Sequence, residues 1–352
     1  MVWKKMRRQF ILQCIAVLGL GVQIARGQIT VMPLSTAAAD PSQDDDLGPA
    51  VPPANLAPIP AGAPDPFAGY SYDYNPGPGS PGGGLTGVGG EVLPQPWYDA
   101  AWTWQAFPRG WMYPNYLASE REARMAAEFF HERNLGWMVD TSIGGRVGLL
   151  RYGTEDLLRP EGFQLDFDAA VFPRFTLDDS RDLISQDFTA GLPLTFRRGP
   201  IETKFGYYHL SSHLGDMYIE DHPGAVRHPY TQDGVMLGVG YRPIEAFRLY
   251  AEADYAFHTF GFSKPWEFQF GIDWSTLQMT GPMGAPFFAI FGMIRQDVDY
   301  SGTLIVQTGW QWRSQTGQLL RMGFHYFNGK SLQGQFFNQF EEQIGFGTWY
   351  DF

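Results

Sequence analysis

The residues with chemistry to offer crowd into one stretch of the chain. His209, His213, His222 and His228, four of the seven histidines, lie within 20 residues beside Asp216, Glu220 and Asp221. Alternate residues of a strand share a face at a spacing of ~6.5 Å, so His209 could take the proton of the Ser211 hydroxyl and make it a nucleophile. A third group would orient that base, and Asp216, Gln232 or Asp233 could supply it. A metal held by His209 and His213, or by His222 and His228, would need partners that an extended strand separates by ~13 Å at i and i+4, and no spacing here is a recognised zinc pattern. No metal and no cofactor is therefore expected. The simplest reading of the stretch is a polar loop whose histidines bond to its own backbone or to sugar head groups.

A second set of ionisable residues is spread along the chain. Asp166, Asp168, Glu202, Lys204, Arg248, Glu252, Asp254, Glu267 and Asp273 fall on the polar side of alternating segments, as do Asp140, Arg146, Arg197 and Arg321. If those segments closed into a water-filled cylinder, eight acids against five bases would favour cations. In a narrow cylinder the same charges would pair across the interior and close it. His325 reads as a lining residue of that interior.

The elements that carry these residues alternate with period two from about residue 124 onward. Val139, Thr141, Ile143, Gly145 and Val147 oppose Asp140, Ser142, Gly144, Arg146 and Gly148; Trp266, Phe268, Phe270, Ile272 and Trp274 oppose Glu267, Gln269, Gly271 and Asp273. No 18-residue apolar stretch occurs, which excludes a helical membrane protein. Strands are expected at 124–132, 137–151, 162–173, 187–197, 201–212, 233–242, 247–258, 266–275, 286–294, 301–312, 319–327 and 340–352. The expected fold is all-β, an antiparallel transmembrane β-barrel of about 12 strands. Tight turns near Gly199 and Pro243 would lie at the periplasmic end, and the long connections 213–232 and 328–339 outside.

A soluble barrel alternates as well, so the choice rests on further features. Aromatics make up 16% of the chain, and Trp137, Tyr241, Trp266, Trp274, Trp310, Trp312 and Tyr326 fall at strand ends, where they would form two girdles at the headgroups. Glycines recur on the polar face. The segment from Ile344 to Phe352 places Ile344, Phe346, Tyr350 and Phe352 on one face. It resembles the C-terminal signal strand of outer-membrane barrels, and the resemblance offers Gly347, Tyr350 and Phe352 to the barrel-assembly machinery.

Ahead of the strands, Lys4, Lys5, Arg7 and Arg8 precede an apolar run over 10–24, and Ala25 and Gly27 offer small residues for cleavage. This reads as a signal peptide over 1–27, which carries Cys14, the single cysteine, away with it. The remainder has 20 basic against 37 acidic residues, so nucleic acid is not an expected partner. Residues 28–96 are rich in Pro and Gly, with few aliphatic residues in a row, and read as a disordered periplasmic tether whose partner is open. Residues 97–123 crowd Trp97, Trp102, Trp104, Phe107, Trp111, Tyr113 and Tyr116 beside Pro108 and Pro114, as an ordered plug or rim would. The barrel follows over 124–352, and the expected location is the outer membrane, among its lipids, with the N-terminal segment in the periplasm.

Several motifs carry a family resemblance. The stretch from Pro114 to Arg124, Gly144-Gly145-Arg146, Leu150-Arg151-Tyr152-Gly153, Tyr208-His209-Leu210-Ser211-Ser212-His213-Leu214-Gly215-Asp216 and Asn328-Gly329-Lys330-Ser331 are similar to an uncharacterised bacterial outer-membrane family, a domain of unknown function. The likeness covers roughly residues 110–352 and implies the barrel but no activity. Ala118-Ser119-Glu120-Arg121 stands where that family would lead into its first strand with Ala-Asp-Pro-Arg. His209-x-Ser211 also resembles the dyad of outer-membrane phospholipases and lipid A deacylases, with Ser212-His213 in place of the Asn-Gly that follows it there. Two roles are thus expected: a small channel or structural envelope protein, or alternatively an acyl hydrolase using His209, Ser211 and Asp216 or Asp233.

Overall fold

A computed structural model describes residues 101–177 and 182–352, together with the backbone of an antiparallel hairpin, Leu20–Ala25 with Gln28–Pro33. The leader and tether expected over 1–96 otherwise lie outside the described residues.

Twelve strands follow one another as β1 Met125–Glu132, β2 Gly136–Gly153, β3 Gly162–Thr176, β4 Leu183–Arg198, β5 Ile201–Leu214 and β6 Tyr230–Ile244, then β7 Phe247–Gly261, β8 Trp266–Trp274, β9 Ala285–Arg295, β10 Ser301–Arg313, β11 Leu319–Lys330 and β12 Phe340–Asp351. Each pairs antiparallel with the next, and β12 pairs with β1 through Phe346 opposite Phe129, which closes the barrel and leaves its wall no open edge. The short strand Thr103–Ala106 continues the wall below β1, pairing with Leu150 to Gly153 of β2.

The polarity of this barrel is inverted relative to a soluble one. Phe129, Ile143, Val147, Leu194, Phe205, Leu237, Phe270 and Phe346 are exposed on the outer face, while Glu128, Asp166, Glu202, Arg248, Gln307 and Arg321 are buried inside. Water on both faces would make this arrangement unfavourable; a lipid outside would make it stable, because apolar side chains then meet acyl chains and neighbouring strands pair one another's amides.

Strand ends run past their expected limits. β3 reaches Thr176, β9 Arg295 and β10 Arg313, and a bulge between Gly148 and Leu150 reverses the parity of the last residues of β2. Arg151, Arg174, Arg295 and Arg313 are therefore added to the interior, which Arg242 at the end of its expected strand also faces. Longer β5 and β6 also shorten the connection expected at 213–232 to 215–229, which holds a short helix, α1, Asp216–Asp221. The opposite end has two-residue turns at 199–200 and 245–246 but also the 275–284 connection, so loop length does not divide the two ends cleanly.

Candidate functional site

The interior is occupied. After Phe107 the chain turns into the barrel, helped by Gly110, whose φ of +80° and approach to Leu157 would put a Cβ only 2.3 Å from the Leu157 carbonyl oxygen. Residues 109–122 form no regular element, so their carbonyls must find donors elsewhere. Inward arginines provide them. Arg151 donates to the carbonyls of Arg109 (2.7 Å) and Gly110 (2.8 Å), Arg146 to Tyr113 (2.7 Å), Arg248 to Pro114 (3.0 Å), Arg124 to Tyr116 (2.6 Å) and Leu117 (2.8 Å), and Arg321 to Leu117 (3.0 Å). Tyr116 stacks on Tyr250 with centroids 3.9 Å apart, donates to Glu252, and shares a 2.7 Å hydrogen bond with Tyr113. Burial pushes the Tyr113 hydroxyl up to about 12, so it stays protonated.

The residues expected to line a pore all face this interior, and most are matched to an opposite charge. Asp166 meets Arg146; Lys204 meets Glu252 at 2.6 Å; Glu202 is shared by Arg248 (2.9 Å), Arg242 (2.5 Å) and Arg197 (3.3 Å). Arg248 also faces Asp273 at 3.5 Å, and Arg121 of the inner segment faces Glu267 at 3.4 Å. Asp254 accepts from Gln269 at 2.8 Å, and Asp168 lines a cavity with Lys204 and Tyr208. At the end carrying the 215–229 connection, residues 331–335 fold into the mouth: Gln333 accepts from Ser185 at 3.0 Å, and the Gly334 amide donates to Asp187 at 2.9 Å.

The outer wall holds a different group of polar residues. Ile201, Phe205, Tyr207, His209, Ser211 and His213 occupy the outward row of β5. His209 and Asp233 are register partners across β5 and β6, and His209 Nδ1 lies 2.9 Å from Asp233 Oδ1. The Tyr207 hydroxyl donates to the same carboxylate oxygen at 2.5 Å. Ser211 stands next along the row, opposite Thr231, and is not hydrogen-bonded to His209 among the described residues. On the far side of Asp233, a bulge in β7 brings His258 into register with it. His209 and Asp233 keep 37% and 26% of their side chains accessible, so both can be reached from outside the wall.

Of the candidate third members, only Asp233 meets His209. Asp216 sits in α1 and faces Arg227 at 3.7 Å, both well exposed. Gln232 points inward and donates to the Lys264 carbonyl at 3.1 Å. The other histidines disperse: His213 packs edge-on to Phe188, His222 stacks on Tyr218, and His228 packs against Phe262. Tyr207 and His258 were not singled out from sequence. Tyr207 shares the parity of His209, which could have flagged it, whereas the bulge that aligns His258 leaves no sequence sign. Gly347 lies on the inner face of β12 against Trp349, with Tyr350 edge-on to Phe352 outside.

A closed twelve-strand barrel, apolar outside and charged within, belongs to the outer-membrane class of β-barrels. The chain belongs to the family described as a protein of unknown function (DUF1207), which matches residues 99–352. No curated protein sequence matches it. Among solved structures, outer membrane phospholipase A from Escherichia coli shares 11% identity at a TM-score of 0.45, over 68% of this chain and 98% of that one. An outer membrane phospholipase of Salmonella typhi shares 11% at 0.43, over 65% and 91%.

Proposed function

We propose that this barrel sits in the outer membrane with its N-terminal segment in the periplasm, is closed at rest by residues 109–122, and carries its chemistry on the outer wall. The observation behind this reading is the 2.9 Å contact of His209 Nδ1 with Asp233 Oδ1 in the same outward row as Ser211. The activity it supports is hydrolysis of an acyl ester of an outer-leaflet lipid.

Asp233 would accept the Nδ1 hydrogen of His209 and so leave Nε2 as the base. Ser211 Oγ attacks the ester carbonyl as Nε2 takes its proton; the C–O bond then breaks, and the proton passes to the departing alkoxide. Water activated by the same nitrogen cleaves the acyl-serine and releases the fatty acid. A strand spacing of ~6.5 Å between His209 and Ser211 lets the rotamers of both side chains close the gap on substrate.

The test is fatty-acid release from phospholipid and lipid A vesicles by the purified protein, compared with Ser211→Ala. Turnover by the parent that disappears in a folded Ser211→Ala supports the hydrolase. Turnover unchanged by the substitution, or none from folded protein, removes it. Steady single-channel steps from the intact chain would favour the small-channel role instead.

A further inference from the structure

Three side chains from two distant parts of the chain converge at the edge of the inner segment. Glu120 belongs to that segment, Glu128 to β1 and His325 to β11, and one ligand-type atom of each lies within 4.8 Å of the other two. His325 is fully buried, with Nε2 3.3 Å from Glu120 Oε1 and Nδ1 3.9 Å from Glu128 Oε1. Both Glu120 Oε1 and His325 Nε2 are buried without a hydrogen bond, although they face each other. Two atoms bound at ~2.1 Å to one ion stand about 3.0 to 3.4 Å apart in octahedral to tetrahedral geometry, which brackets the 3.3 Å between Glu120 Oε1 and His325 Nε2, while Glu128 would have to move toward that nitrogen to complete the set.

The surroundings suit ligands. Trp349 Nε1 donates to Glu128 Oε1 at 2.6 Å and Gln307 Nε2 to the same oxygen at 3.2 Å, which holds the carboxylate and leaves Oε2 to ligate. Glu120 and Glu128 line a small cavity with Ser119, Asp140 and Ser142.

We propose that Glu120, Glu128 and His325 bind one divalent cation of the zinc class and that this ion clips the inner segment to the barrel wall. One imidazole and two carboxylates are donors zinc accepts, with a further position open to water. The clip stands on the interior alone and is independent of the outer-wall chemistry.

The full-length protein, stripped with a chelator in detergent and then titrated with zinc against a chromophoric competitor, should take up one ion per chain. X-ray absorption of that sample should show one imidazole among nitrogen and oxygen donors. Glu120→Gln, which alters no wall residue, and His325→Gln should each lose the ion while keeping heat-modifiable migration. Folded parent protein that takes up no zinc, a bound ion without imidazole, or uptake unchanged in both variants would overturn the proposal.

Discussion

His209 and Asp233 face each other across neighbouring strands, with Nδ1 and Oδ1 2.9 Å apart on the outer face of the wall. Because Tyr207 donates to the same Oδ1 at 2.5 Å, Asp233 is held from two directions and the imidazole orientation is fixed by a carboxylate that is itself fixed. Ser211, Asp233 and Tyr207 should therefore differ in weight. Ser211→Ala should bring lipid hydrolysis to background and Asp233→Ala should lower kcat by roughly 10² to 10⁴-fold, while Tyr207→Phe lowers it by about tenfold or less. Initial rates on mixed vesicles check the order; equal losses for Tyr207→Phe and Ser211→Ala would place the chemistry elsewhere.

Arg248 ties the wall to the inner segment, since its guanidinium reaches Glu202 at 2.9 Å and the Pro114 carbonyl at 3.0 Å with no exposure to solvent. Arg248→Met removes one partner from a buried charge and strips a donor from a buried carbonyl. Loss of about 3 to 5 kcal/mol is expected, seen as a lower denaturant midpoint in detergent. Lysine at this position cannot fork to both acceptors, so Arg248→Lys should recover only part of the loss.

That His209 and Ser211 share one face was legible from their spacing, because a strand has only two faces. The identity of the third partner was not. Asp216 is nearer in sequence, yet only the register of β5 against β6 puts Asp233 beside His209, and register is set by a connection whose length and helix the sequence does not disclose. The expected alternation placed Asp166 and Asp273 inside, but the bulge beyond Gly148 carried Arg151 in as well. The crowding of Tyr113 and Tyr116 marked an ordered segment; that arginines of the wall would satisfy its carbonyls needed the closed barrel. Glu120 and His325 are two hundred residues apart and share no pattern.

Gly238 lies where the inner segment touches β6, and a Cβ there would stand 2.8 Å from the Tyr113 hydroxyl and 2.9 Å from Lys204 Cγ. The neighbours on that side are the aromatic pair and the Lys204 and Glu252 ion pair, which hold each other. Gly238→Ala should displace Tyr113 at a penalty of about 1 to 3 kcal/mol. Limited proteolysis between residues 107 and 124 should become faster in the variant while the barrel itself stays resistant.

Conductance gives the most direct reading of the interior. Intact protein in a planar bilayer should be silent, because residues 109–122 occupy the barrel and the carbonyls of that segment are held by Arg146, Arg151, Arg248 and Arg321. Replacing 109–122 by a Gly-Ser linker of equal length removes those acceptors, and with them Tyr116 from Glu252 and Arg121 from Glu267. Steady steps should then appear. Their selectivity should be weak, because the acids Asp166, Glu252 and Asp273 share the wall with the freed arginines. In that background Glu252→Gln should shift the reversal potential toward anions; a replaced segment that leaves the bilayer silent would mean that the wall charges and residues 331–335 close the barrel by themselves.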